Sequence, residues 1–169
     1  MRESESGKAF LDAMALLRSG EQASKTGDYK QAVARYERAI AIAEEAPGHD
    51  WDQRAFLAMC HAILAGPLLS LGRTEAGLRA ADKALEFYDR YGDGYPAERE
   101  RWFATRRNKA ATLTTLRRFD EAVQILEQAR AMLSSTREAE PVRKEIDDAI
   151  ASVRAMATRS KPRSWWRPA

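Results

Sequence analysis

YKQAVARYERAIAIAEEA, residues 29–46, decides the fold, because the chain repeats it in altered form. TEAGLRAADKALEFYDRY starts at Thr74 and FDEAVQILEQARAMLSST at Phe119, so the starts at 29, 74 and 119 are 45 residues apart. The three stretches align without gaps. Small residues recur at Ala32, Gly77 and Ala122, and again at Ala39, Ala84 and Ala129; larger apolar residues recur at Val33, Leu78 and Val123. Apolar positions three and four apart, with charges on the opposite side, make each stretch an amphipathic helix. Self-similarity at one fixed period is the mark of a repeat architecture.

A short turn precedes each helix: Gly27-Asp28, Gly72-Arg73 and, without glycine, Arg117-Arg118. Before each turn a longer helical pattern runs over about 8–26, 51–71 and 97–116. The unit is therefore a helical hairpin. Ala46-Pro47-Gly48 and Tyr91-Gly92-Asp93-Gly94-Tyr95-Pro96 separate the hairpins. Beyond Ser134-Ser135-Thr136 a further helix spans about 139–158, with Pro141 tolerated in its first turn. It reads as a cap over the apolar side of the third hairpin, as an open-ended solenoid requires. The expected division is an extension at 1–8, a repeat domain at 9–158 and a basic tail at 159–169. Within the domain the units fall at about 9–46, 51–91 and 97–134, followed by the cap.

The rest of the composition narrows the function. Alanine, leucine, glutamate and arginine dominate and β-branched residues are sparse, which favours helix. With 28 basic and 25 acidic residues the net charge is only +3, too balanced to make nucleic acid the expected partner. One cysteine, Cys60, excludes an intrachain disulfide and a cysteine-rich metal site. The N-terminus, MRESESGKAF, lacks the apolar core of a secretory signal, and no apolar run is long enough to span a membrane. A cytoplasmic location is the expectation.

The turn followed by the second helix resembles the tetratricopeptide repeat (TPR). Gly27-Asp28-Tyr29-Lys30-Gln31-Ala32, then Tyr36 and Ala39, carry the match, with Leu16 and Gly20 at the preferred large and small positions upstream. Arg118-Phe119-Asp120-Glu121-Ala122 with Leu126 and Ala129 is the next match; the middle unit departs with Thr74 and Gly77. The resemblance covers about residues 9–158. The 45-residue period exceeds the usual 34 and is similar to the longer-period kinesin light chain type. The resemblance implies an all-α, right-handed superhelical solenoid of three TPR-like hairpins plus a C-terminal capping helix. Tyr29 and Phe119 would then plug the gap between the helices of their own hairpins.

The family commonly binds protein segments on its concave face, lined by the first helix of each hairpin. Carried over, that frame puts Met14, Leu17, Glu21 and Lys25 of the first unit in the groove. The second unit would supply Met59, Ala62, Gly66 and Leu69, and the third Ala104, Arg107, Ala111 and Thr114. The groove is apolar at one end and basic near Arg107 and Asn108. The carboxylate-clamp subset of the family needs a lysine and an asparagine where Leu17 and Glu21 stand, which disfavours a chaperone-tail partner. An extended or helical peptide with apolar anchors and some acidic character is the better fit. The alternative is that Arg106, Arg107 and Lys109 form a solvated face.

Nothing argues for catalysis. Cys60 and His61 are neighbours on one helix, about 100° apart around it, whereas a nucleophile and its base converge from different elements. His49 sits in the loop before Trp51, where Asp50 is placed to cap the next helix. Phosphate-loop, nucleophile-elbow and paired-histidine motifs are absent from the sequence, so no enzyme activity, cofactor or metal is expected. Gly66-Pro67 falls inside the first helix of the middle unit and should kink or break it. Accommodation of a longer helix is the plainer reading, and a widened groove the other. In the tail, Arg163, Trp165, Trp166 and Arg167 combine basic charge with two tryptophans that a partner, an anionic surface or the protein's own groove could cover. A non-enzymatic interaction module or adaptor is thus the expected function. A structural subunit assembling through its edge or tail, including a homo-oligomer, and a regulatory ligand-sensing repeat are the alternatives.

Overall fold

The three equivalent turn positions, 27, 72 and 117, all lie in the left-handed backbone region: Gly27 at φ 80°, Gly72 at φ 71° and Arg117 at φ 60°. Each ends its helix with the same pair of hydrogen bonds. Gly27 N–H donates to Ser24 O (3.1 Å) and Asp28 N–H to Ala23 O (2.9 Å). Gly72 and Arg73 repeat this onto Leu69 and Leu68 at 2.9 Å each, and Arg117 and Arg118 onto Thr114 (3.0 Å) and Leu113 (2.9 Å). The two hydrogen bonds satisfy orphan carbonyls of the helix end and need one residue in the left-handed conformation, which glycine adopts freely.

The computed structural model describes residues 2–46, 52–134 and 139–160. Among these residues there are seven α-helices and no strand: α1 (Arg2–Lys25), α2 (Tyr29–Glu45), α3 (Gln53–Ser70), α4 (Thr74–Tyr91), α5 (Arg99–Thr115), α6 (Phe119–Ala131) and α7 (Glu140–Ser160). Helix α1 reaches back to Arg2, into the segment read as an extension. Helices α1–α2, α3–α4 and α5–α6 pair as hairpins, and α2 packs on α3, α4 on α5 and α6 on α7. Two short 3₁₀ turns, Gly92–Gly94 and Pro96–Glu98, carry the chain from α4 to α5.

The small positions are buried in this stack. Ala32, Ala39, Ala84, Ala122 and Ala129 are fully buried. A Cβ on Gly77 would sit 3.1 Å from the Ala65 carbonyl oxygen, so α4 lies nearly on the backbone of α3. A Cβ on Gly20 would meet the Tyr36 ring at 2.5 Å, and burial pushes that phenol up to about 12. Between hairpins two and three, Trp102 stacks on Tyr88, donates from Nε1 to Asp89 (2.9 Å) and covers Gly92. Arg106, only 7% exposed, donates to Asp89 and Gln128 at 2.6 Å each and so joins α4, α5 and α6.

Several local expectations are corrected. Asp52 caps α3, accepting from Ala55 N–H at 3.1 Å, and it also takes the Tyr95 hydroxyl; the helix starts two residues later than Trp51. Asp50, His49 and Trp51 lie outside the described residues. Pro67 does not break α3, which runs on to Ser70 with the ring buried. Arg106, Arg107 and Lys109 do not share a solvated face: Arg106 bonds Asp89, Arg107 pairs with Glu145 of α7, and Lys109 with Asp82 of α4 at 2.7 Å. Cys60 is fully buried and its thiol is pushed up to about 12, so it stays protonated and inert.

Two measurements test this description. Arg117 carries the backbone conformation that Gly27 and Gly72 carry without strain, so Arg117→Gly should raise the unfolding free energy by about 0.5 kcal/mol and Gly72→Ala lower it by about 1 kcal/mol. Chemical denaturation of the two variants checks both signs. His61 is lowered from 6.5 to about 4 by burial, with the Lys83 ammonium as the second cause. The unfolded chain therefore binds the proton first as pH falls, and stability drops from about pH 6.5 downward, by roughly 2 kcal/mol at pH 4.5. Replacing His61 with Phe should remove that part of the slope when melts at pH 7.5 and 4.5 are compared.

Candidate functional site

A cleft of about 390 Å³ opens where the first helices of the three hairpins come together. Helix α1 contributes Glu21, Ser24 and Lys25; α3 contributes Ala62, Ile63, Gly66 and Pro67; α5 contributes Arg101, Ala104, Thr105 and Asn108. Tyr36 of α2 closes its base. These residues recur at three- and four-residue steps along their helices, so each helix offers one narrow face.

The chemistry of the cleft is mixed. Ala62, Ile63, Pro67 and Ala104 give apolar surface. Among the described residues Glu21 and Lys25 make no ion pair, while Arg101 is held by Glu98, which also accepts from the Tyr88 hydroxyl at 3.0 Å. Asn108 offers both a donor and an acceptor. Gly66 keeps the cleft open, since a Cβ there would touch only Asn108 Nδ2, at 3.8 Å. Pro67 has no N–H to give to the carbonyl four residues earlier, which leaves Ile63 O without its helical donor at the same wall.

Of the residues expected to line a groove, Glu21, Lys25, Ala62, Gly66, Ala104 and Asn108 meet here. Leu17 does not: it is 4% exposed and belongs to the hydrophobic core between α1, α2 and α3. Met14 and Met59 are partly buried against that same core, and half-buried Leu69 lies outside the cleft. Arg107, Ala111 and Thr114 line a separate cleft of about 200 Å³ between α5 and α7, facing Glu145, Ile146 and Ala149. Ser24, Ile63, Arg101 and Thr105 were not expected from the sequence, whereas Pro67 was noted with Gly66 for its place inside the helix. Ser24 and Ile63 each adjoin a residue that was, Lys25 and Ala62. Arg163, Trp165, Trp166 and Arg167 lie outside the described residues. Among the described residues no group of acidic, histidine and cysteine side chains could hold a metal, and no helix is long and apolar enough to cross a membrane.

Known proteins bear on this geometry. A TPR-like protein from Chlorobium tepidum has a crystal structure that superposes with a TM-score of 0.75 at 28% identity, covering 88% of this chain and 98% of its own. The first TPR of Spaghetti (RPAP3), in a structure bound to an HSP90 peptide, superposes with a TM-score of 0.57 at 16% identity, covering 83% of this chain and 94% of its own. No curated protein matches in sequence. Residues 5–146 match the family described as Domain of Unknown Function (DUF3856). An all-helical, TPR-like stack matched over most of its length by that family places the chain: it belongs to the DUF3856 family and has a tetratricopeptide-like fold.

Proposed function

We propose that the chain is a non-catalytic interaction module, or adaptor, that holds a segment of a partner protein in the cleft of α1, α3 and α5. The repeat domain at 9–158 acts as one binding unit, and the cytoplasm is its place of work. The observation that carries this reading is the cleft itself. Three helices from three different hairpins present one open wall, with Glu21 and Lys25, neither ion-paired among the described residues, beside Asn108 and apolar side chains. Such a surface suits an extended peptide, whose main chain needs donors and acceptors along its length and whose side chains need apolar anchors. Lys25 and Arg101 favour a segment with some acidic character. The TPR of Spaghetti, which shares the fold, holds a peptide in its structure. Arg107 and Thr114, in the neighbouring cleft, would extend the surface toward α7, and Met14 and Met59 pack on the core behind it.

Gly66→Leu fills the open wall, where an added Cβ meets only Asn108, and Lys25→Glu reverses a cation of the lining. Both variants should keep wild-type helicity by circular dichroism. With a partner captured from native extract, and a synthetic peptide of its contacting segment, calorimetry should give affinities at least about tenfold weaker for each variant. Retention of wild-type affinity by both would sink the concave-cleft assignment.

A further inference from the structure

A second cleft, of about 400 Å³, lies between α3 and α4 and shares no residue with the first. Two helix faces build it. Arg54, Leu57, Ala58 and His61 fall at i, i+3, i+4 and i+7 of α3, and Lys83, Glu86, Phe87 and Arg90 take the same spacing on α4. Leu57, Ala58 and Phe87 supply apolar surface, while Arg54, Lys83 and Arg90 set three cations against the single carboxylate of Glu86.

These cations differ from the ion-paired ones that tie the helices together. Arg73, Arg101, Arg106, Arg107, Lys109 and Arg118 each have a carboxylate partner. Arg54, Lys83 and Arg90 have none among the described residues. Both guanidinium groups instead lie over the Tyr91 ring, with Cζ 5.5 Å from its centroid for Arg54 and 6.0 Å for Arg90. Tyr91 is 41% exposed, one of the few large hydrophobic side chains left in water, and it stands 5.3 Å from Phe87. In the same lining His61 Nδ1 is buried without a hydrogen-bond partner. A buried polar atom left unpaired is uncommon in a folded protein and marks a place where an acceptor or donor is missing.

We propose that this cleft binds a small planar organic anion, an aromatic carboxylate or a close acidic equivalent. Its ring lies against Leu57, Phe87 and Tyr91 and its charge sits among Arg54, Lys83 and Arg90. The net charge of the lining side chains, three cations against one anion with His61 neutral, matches a mono- or dianion. The volume is that of a small-molecule site, and a nucleic acid would need a longer basic stripe than one cleft between two helices. An uncharged aromatic would leave the cations without a counter-charge, and a simple inorganic anion would leave the apolar floor in water.

The test uses the full chain and 8-anilinonaphthalene-1-sulfonate, an aromatic anion whose fluorescence rises on binding. Wild type should bind it saturably, and 2-naphthoate should displace it while the uncharged 2-naphthalenemethanol does not. Arg54→Glu and Arg90→Glu should each weaken binding by about tenfold or more. Arg54→Gln and Arg90→Gln, which keep the aliphatic stem and alter only exposed positions, should weaken it in the same direction with helicity intact. Gly66→Leu and Lys25→Glu, in the other cleft, should leave it unchanged. Absence of saturable binding overturns the proposal, as does wild-type affinity in the arginine variants. Loss through Gly66→Leu or Lys25→Glu, or equal displacement by the uncharged alcohol, overturns it as well.

Discussion

Every other feature of this molecule depends on how closely its helices approach at six small positions. Ala32, Gly77 and Ala122, with Ala39, Ala84 and Ala129, are all buried where the helices pack, and none carries a side chain larger than a methyl group. The 3.1 Å distance from a would-be Gly77 Cβ to the Ala65 carbonyl shows how little room is left. A larger residue at any of these points would wedge the layers apart, and in a close-packed interior that shift is transmitted outward. The cleft of α1, α3 and α5 has its width because those contacts fix the spacing of the layers behind it.

That constraint is also why the fold was legible. A residue that must be small leaves a mark in the sequence, and marks at one fixed interval are hard to produce by chance. The turn geometry was legible at Gly27 and Gly72 for the same reason, since left-handed backbone selects glycine. Arg117 hid the third instance: the surrounding hydrogen bonds impose the conformation whatever residue stands there.

The site was less legible. Leu17 and Glu21 are one helical turn apart and share nearly the same azimuth, so spacing alone places both in the groove. The border between core and cleft falls between them because Leu17 meets α2 and α3, whereas Glu21 lies over Tyr36 at the edge. Likewise the run Arg106-Arg107-Asn108-Lys109 carries no sign of its partners. Successive helical positions point about 100° apart, and the carboxylates they find, Asp89, Glu145 and Asp82, come from two other helices. The cleft between α3 and α4 left no motif at all, because each helix supplies half of it at ordinary amphipathic spacing.

Neighbour-only packing has a further consequence, for how the chain comes apart. Apart from the joint of α3 with α5, each helix rests chiefly on the helices adjacent to it in sequence. The stack then behaves as a one-dimensional chain of coupled units, in which opening begins at an end and travels inward one interface at a time. Among the described residues helix α7 stands at one end of that chain of units. It is fastened to the body by three buried apolar residues, Ile146, Ile150 and Val153, and by the ion pairs Arg107–Glu145, Arg130–Asp147 and Arg154–Glu127 at its solvent-facing edges. Ionic strength screens such exposed pairs and does not screen apolar burial. Salt thus acts unevenly along the molecule, loosening its last helix while the alanine-bound layers beneath stay closed.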